Sequence, residues 1–115
     1  MKELIIIIRP EKLELVKEVL DTMHGKGMTI SSVMGCGNQR GATEIVNEIK
    51  GFKTSINLIP KIKVEAVVDD KDVDSIMLAI KDKVSTGNVG DGKIFVRSID
   101  DAMRLRTGER GKKAL

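Results

Sequence analysis

The chain has no tryptophan and no tyrosine, and only two of its 115 residues are phenylalanine. Proteins that hold single-stranded nucleic acid stack bases on aromatic side chains and carry a clear excess of positive charge. Here 20 basic residues face 17 acidic ones, so the formal net charge is only +3. The composition therefore argues against a nucleic-acid partner.

Cysteine is almost as scarce, because Cys36 is the single one. One cysteine excludes an internal disulfide and fits the reducing cytoplasm. With His24 as the one histidine, the chain lacks the ligands of a zinc site, and no Ser-His-Asp arrangement of a hydrolase is evident. No apolar run approaches a membrane span, and the N-terminus has no signal-peptide pattern. We expect a cytoplasmic protein that contacts membranes only through a partner.

Glycine, by contrast, is concentrated late in the chain. Gly87, Gly90 and Gly92 lie just before Lys93 and an apolar run. The backbone N–H groups of such a loop can surround an anion, and a lysine adds positive charge beside them. A phosphate-binding loop and an ordinary turn that leads into a strand both fit this pattern. It is not a Walker A loop, because Ile94 stands where that motif requires serine or threonine.

Alternation and helical spacing predict six regular elements in a single domain of residues 1–115. The first strand is rich in isoleucine and ends before Pro10, and the third alternates apolar and charged residues. A helical turn at 100–103 and a mobile, charged C-terminal tail at 107–115 follow the last strand. The predicted strands are 3–9, 29–34, 61–68 and 93–97, and the predicted helices are 11–23 and 73–84.

The order β-α-β-β-α-β predicts an α+β fold of the ferredoxin-like type. In that fold both helices cover one face of a four-stranded antiparallel sheet. The first strand is apolar at every position rather than at alternate ones, so we expect both of its faces to be buried. Self-association is the simplest way to cover the second face.

Residues 38–59, between the second and third strands, show no clean period. A connection of this length in a compact domain is uncommon unless it binds something. We therefore expect a long, flexible loop that contacts an effector or a partner.

Short motifs run through almost the whole chain at defined spacings. In order they are Arg9-Pro10-Glu11-Lys12-Leu13, Gly27-Met28-Thr29, Gly35-x-Gly37-x-Gln39-x-Gly41, Pro60-Lys61-x-Lys63-x-Glu65, Thr86-Gly87-x-x-Gly90-Asp91-Gly92-Lys93-Ile94-Phe95-Val96 and Arg104-x-Arg106-Thr107-Gly108-Glu109. Any one of them is weak, but together they closely resemble the PII nitrogen-regulatory signal proteins.

The resemblance implies a homotrimer with three nucleotide clefts between neighbouring subunits. ATP and ADP would compete there, and Mg²⁺ and 2-oxoglutarate would join ATP. Gln39 is implied as a ligand of Mg²⁺, and 2-oxoglutarate would be bound by Gln39, Gly41 and Lys61. The implied nucleotide-binding residues are Gly90, Asp91, Gly92 and Lys93 at the phosphates, Arg104 and Arg106 reaching the phosphates from the adjacent subunit, Asn38 beside the terminal phosphate, and Thr29, Glu65, Gly37 and Val67 at the base.

From the residues alone, simpler interpretations stay open for several of these positions. Arg104 and Arg106 in a basic tail are commonly solvated. Lys61 and Glu65 share one face of a predicted strand, so they also fit a surface or interface ion pair.

The chain departs from the family pattern in three respects. Asn38 stands where many members carry arginine, which would weaken the preference for ATP over ADP. The 38–59 loop is longer than is common in the family, so its internal alignment is not fixed. The absence of tyrosine excludes the tyrosyl modification known in some members, while Thr54 and Ser55 remain open to modification.

The resemblance implies a signal protein without catalytic activity that reads ATP, ADP and 2-oxoglutarate. Its target would be an ammonium transporter, or a soluble enzyme or regulator of nitrogen metabolism, contacted through Lys50, Gly51 and Phe52. One alternative is a PII-like regulator with another nucleotide preference or a nitrogenase-linked role. Another is a nucleotide-using enzyme in which Asp91 or Glu65 is the reactive carboxylate.

Overall fold

A computed structural model describes residues 1–23, 27–36, 44–49 and 52–115, with the backbone alone described for 44–49 and 52–57. Among the described residues, no helix is both long and apolar enough to cross a membrane. Short 3₁₀ turns precede both helices, and a third lies near the C-terminus. The regular elements are β1 (Lys2–Ile8), α1 (Leu13–Thr22), β2 (Thr29–Gly35), β3 (Glu44–Ile49), β4 (Phe52–Asn57), β5 (Ile59–Val68), α2 (Val73–Val84) and β6 (Gly92–Ser98).

Four of the strands form one antiparallel sheet in the order β2-β5-β1-β6. Ile6 of β1 lies opposite Val64 of β5 on one side and opposite Ile94 of β6 on the other. The two helices contact each other, and both contribute to the core that lies on one face of this sheet. Together these elements form the ferredoxin-like βαββαβ unit, and the predicted α+β fold class is confirmed.

The core lies between the helices and the sheet. Successive side chains of a strand point to opposite faces, so β1 buries Leu4, Ile6 and Ile8 on the helix side. The helices contribute residues spaced three or four apart, which puts them on one face of each helix. The other fully packed residues are Val64, Ala66 and Val68 of β5, Val16, Val19 and Leu20 of α1, and Ile76, Ile80 and Val84 of α2.

The opposite side of the sheet, here called the outer face, carries the alternate residues of each strand. Ile5 and Ile7 of β1 are half-buried there, and Phe95 of β6 is 53% exposed. The expectation that both faces of the first strand are buried is therefore met on the helix side only. Within one chain, the outer face keeps a partly exposed apolar centre.

The segment 38–59 differs from the loop that its lack of period predicts. β3 and β4 pair with each other from Glu44 opposite Asn57 to Ile49 opposite Phe52, as a separate two-stranded sheet. β5 also begins earlier than predicted, because Pro60 lies within the strand. Pro60 has a partner in β2 but lies beyond the end of the pairing between β5 and β1. A residue without an N–H is tolerated at such a position.

The C-terminal residues differ from the prediction in two places. Residues 100–103 are not helical, because Met103 instead pairs with Arg110 in an isolated antiparallel bridge. Arg110 donates to the Asp101 carboxylate, and Lys112 forms an ion pair with Asp69 at 3.3 Å. Gly111–Ala114 is a 3₁₀ turn. The tail that composition suggests to be mobile therefore has defined contacts with the rest of the chain.

Candidate functional site

Residues 86–92, here called the glycine loop, are organised by the Asp91 carboxylate. The Thr86 hydroxyl donates to it at 2.5 Å, the Thr86 N–H at 2.7 Å and the Gly87 N–H at 3.0 Å. The hydrogen bond from the Thr86 hydroxyl is the main cause that lowers the pKa of Asp91, followed by that from the Thr86 N–H. The Asp91 side chain therefore holds the loop closed on itself.

Gly92 is required where the glycine loop enters β6. Its φ is +117°, and a Cβ at this position would lie 1.8 Å from the carbonyl oxygen of Ile7. That distance is far below any real Cβ contact, so a larger residue would push β6 away from β1. The glycine thus brings the start of β6, and Lys93 with it, close to β1.

Two cations hold the carbonyl oxygens of the glycine loop. Arg9 donates through Nε to Gly90 O at 3.1 Å and through Nη2 to Val89 O at 2.7 Å. Lys61 Nζ also donates to Gly90 O, at 2.6 Å, and only 8% of Lys61 is exposed. Burial lowers the pKa of Lys61, and the neighbouring Arg9 charge lowers that pKa further.

From sequence, Arg9 belongs to a motif but has no predicted ligand or structural role. The signal that could have revealed it is strand register. Ile8 lies opposite Gly92, so the residue after Ile8 meets the end of the glycine loop. That register cannot be read from either segment alone.

A cavity of about 460 Å³ opens beside the glycine loop on the outer face. Lys61 and Lys93 both line it, together with Gly90 and Gly92. Two lysines beside exposed loop backbone suit an anion such as a phosphate. Cys36 lies at the same cavity.

A second cavity of about 280 Å³ brings together three residues that the resemblance assigns to base recognition. Thr29 of β2 lies directly opposite Glu65 of β5, and Val67 lies two residues further along β5. Leu115 also lines this cavity. Lys63 forms an ion pair with Glu65 at 3.4 Å. The pairing of β2 with β5 therefore places the Thr29 hydroxyl and the Glu65 carboxylate side by side in a partly apolar cavity.

Comparison with known proteins decides the family. The family model described as nitrogen regulatory protein P-II matches residues 1–109. The chain belongs to the P-II family. Nitrogen regulatory protein P-II 2 of Methanothermobacter thermautotrophicus is 49% identical over 115 residues, which cover 100% of this chain and 97% of that protein. The P-II protein of Rhodospirillum rubrum is 42% identical, with 100% of both chains covered.

Two solved structures share the fold of this P-II chain. B. subtilis GlnK superimposes with a TM-score of 0.79 and 33% identity, over 99% of this chain and 97% of that one. The B. subtilis GlnK-ATP complex gives a TM-score of 0.78 and 34% identity, over 99% and 96% of the two chains. The resemblance inferred from the motifs is thereby confirmed.

The two arginines of the P-II C-terminal motif lie on a turn and do not share one environment. Arg104 donates through Nη1 to Glu109 at 2.8 Å and through Nη2 to the Leu115 carbonyl at 3.1 Å. Arg106 is exposed, and Leu105 between them is 94% exposed. Within its own chain Arg104 is thus held by C-terminal residues, and its contact with a neighbour's phosphates stays a prediction.

Several predicted site residues lie outside the described part of the chain, so their roles stay predictions. They are Gly37, Asn38, Gln39, Gly41, Lys50 and Gly51. Phe52 begins β4, for which only the backbone is described. Among the described residues there is no group of three or more His, Cys, Asp or Glu side chains that could hold a metal ion.

Proposed function

We propose that this P-II protein binds ATP and ADP across its two outer-face cavities. The observation that carries the proposal is the position of Glu65 and Lys93 on either side of β1. Glu65 lies opposite Ile5 and Lys93 opposite Ile7. Strand spacing and rise put their backbones about 12 Å apart, a span that suits a base at Glu65 and phosphates at Lys93. The ATP complex of the related GlnK supports the choice of nucleotide.

Equilibrium dialysis with labelled ATP tests the proposal directly. We expect saturable binding that unlabelled ADP displaces and that GTP displaces much less, because Thr29 and Glu65 face the base. Equal displacement by ADP and GTP would show that the cavity at Thr29 and Glu65 does not distinguish adenine from guanine. No saturable binding at all would contradict the proposed nucleotide site.

The proposed effectors are Mg²⁺ and 2-oxoglutarate together with ATP. Mg²⁺ is usually bound through one or two protein oxygens and the phosphates of a substrate. The protein ligand of such a metal would be Gln39. Bound there, the metal would neutralise phosphate charge. Lys61, already at the phosphate cavity, would pair with a carboxylate of 2-oxoglutarate.

We propose that three copies assemble in the cytoplasm, so that Arg104 and Arg106 reach a neighbour's phosphates. The exposed apolar residues support this, since Phe95 on the outer face and Leu105 between the arginines are otherwise in contact with water. Asn38, which replaces an arginine beside the terminal phosphate in many relatives, would leave the site less selective for ATP over ADP.

The proposed partner is an ammonium transporter or a soluble protein of nitrogen metabolism. β3 and β4 pair up to Ile49 and Phe52, and Lys50 and Gly51 are the two residues between them in sequence. A lysine there would suit a partner's narrow opening as a flexible cation, with the aromatic residue packing beside it. Capture of the transporter by wild type in ADP, lost in Lys50→Ala and in ATP with 2-oxoglutarate, would support this. Equal capture in all conditions would point to a soluble target.

We propose no catalytic activity for the site. Asp91 and Glu65, the carboxylates that an enzyme could use, are engaged by Thr86 and by Lys63 respectively. Steady-state ATP turnover above the rate in buffer would instead favour the nucleotide-using enzyme.

A further inference from the structure

Arg9 connects the end of β1 to a loop that lies 80 and 81 residues further along the chain. Its guanidinium bonds two consecutive carbonyls, those of Val89 and Gly90, at 2.7 and 3.1 Å. Its Nη2 also lies 3.9 Å from the Asp91 carboxylate. The Arg9 side chain is only 26% exposed, so this contact is partly shielded from water.

The two captured carbonyls set the direction of two N–H groups. In a planar trans peptide the N–H points opposite to the C=O of the same unit. Holding Val89 O and Gly90 O toward Arg9 therefore turns the N–H groups of Gly90 and Asp91 to the other side. Gly90 has a φ of +97°, a value that permits two successive peptide units to be oriented in this way.

Lysine could not replace this contact fully. A guanidinium is a flat fork that donates two hydrogen bonds in fixed directions, whereas an ammonium is a point charge on a flexible stem. Lys61 already donates to one of the two oxygens, Gly90 O. An ammonium at position 9 that donated to Val89 O would therefore leave Gly90 O to Lys61 alone, and the two carbonyls would no longer be held by one rigid group. Two adjacent carbonyls match the guanidinium geometry.

We infer that Arg9 is a positioning residue of the phosphate site, which orients the Gly90 and Asp91 N–H groups toward the nucleotide without touching it. This inference rests on the proposed nucleotide-binding function. Val89 and Gly90 line the 460 Å³ cavity, whereas Arg9 is not among its lining residues in the described part of the chain. Arg9 acts through the loop that it holds.

The test is ATP calorimetry on wild type, Arg9→Gln, Arg9→Lys and the control Lys17→Gln. Lys17 is a cation on α1 paired with Glu14 at 3.3 Å, so its loss changes the net charge equally without affecting the loop. We expect Arg9→Gln to weaken ATP binding about tenfold, the size of one lost charge-assisted contact. Arg9→Lys should restore only part of the affinity, and Lys17→Gln should bind as wild type does.

Amide NMR signals of the protein without nucleotide provide the readout that a merely structural role would not give. In Arg9→Lys the Gly90 and Asp91 amide signals should shift while the thermal midpoint and the signals of α2 stay in place. Unchanged ATP affinity in Arg9→Gln, or full recovery in Arg9→Lys, would overturn the inference. If Arg9→Gln fails to fold, Arg9→Lys alone decides. If wild type binds no ATP, the proposed function fails, while the amide signals still test the hold of Arg9 on the loop.

Discussion

At the scale of single residues, Lys93 carries the strongest expectation. It lines the 460 Å³ cavity beside the glycine loop and lies opposite Ile7, next to Gly92, where a Cβ would lie 1.8 Å from Ile7 O. A charge-assisted contact contributes roughly 1.5–3 kcal/mol, so Lys93→Ala should weaken ATP binding at least tenfold. Calorimetry measures this, with Lys83→Ala as the control because Lys83 pairs with Glu18 on the helix side. Equal affinity in Lys93→Ala and wild type would reduce the glycine loop to an ordinary turn.

Protonation of the Asp91 carboxylate should change the glycine loop at low pH. Its pKa is lowered chiefly by the hydrogen bond from the Thr86 hydroxyl, so folding favours the charged carboxylate. The stabilisation is fully present above the ordinary aspartate pKa and is lost as pH falls through the lowered value. The Thr86 amide signal should therefore titrate at a pH below the usual aspartate range, and Asp91→Asn should abolish that titration. A Thr86 signal that titrates at the ordinary aspartate value would contradict the proposed role.

Some residues of the site could be predicted from the sequence and others could not. The residues alone indicated the glycine loop and Lys93, and left a turn as an equal alternative. Thr29, Glu65 and Lys61 came from the family resemblance, because their partners are far away in sequence. The residues next to Arg9 in sequence do not indicate its hydrogen bonds to Val89 and Gly90. Those bonds depend on the register between β1 and β6.

At the scale of elements, the junction between the glycine loop and β6 is the most constrained. Gly92→Ala must place a Cβ against Ile7 O at a positive φ, whereas the same change at Gly87 meets nothing within 4 Å at a φ of +81°. Backbone strain alone costs roughly 1–3 kcal/mol. Gly92→Ala should lower the free energy of unfolding by more than Gly87→Ala does, because β1 must also move. Denaturant unfolding of both variants measures the difference, and equal losses would contradict the close approach.

The elements that sequence predicted well each have a clear apolar pattern, either continuous or periodic. β1 and β5 follow from apolar and alternating runs, and α2 from a stripe that begins at Val73. β3 and β4 were missed because 44–57 mixes charged and apolar residues without alternation. The C-terminal turn was missed because its geometry is fixed by contacts such as Lys112 with Asp69, which composition does not show.

At the scale of the whole molecule, we expect the chain to self-associate through the outer face. Phe95 is 53% exposed beside the half-buried Ile5 and Ile7, and burying apolar surface of this kind is the main driving force for assembly. Sedimentation should show a trimer at micromolar concentration, and Phe95→Asp should shift it toward monomer. Leu78→Asp is the matched control, since Leu78 is 61% exposed on α2, away from the sheet. A monomeric wild type would remove the neighbour that Arg104 and Arg106 require.

We expect one nucleotide to lie across both outer-face cavities. A crystal structure with ATP tests this most directly. We expect the phosphates at Gly90, Gly92 and Lys93, and the base between Thr29 and Glu65. A nucleotide bound elsewhere, or one whose phosphates lie away from Lys93, would contradict it.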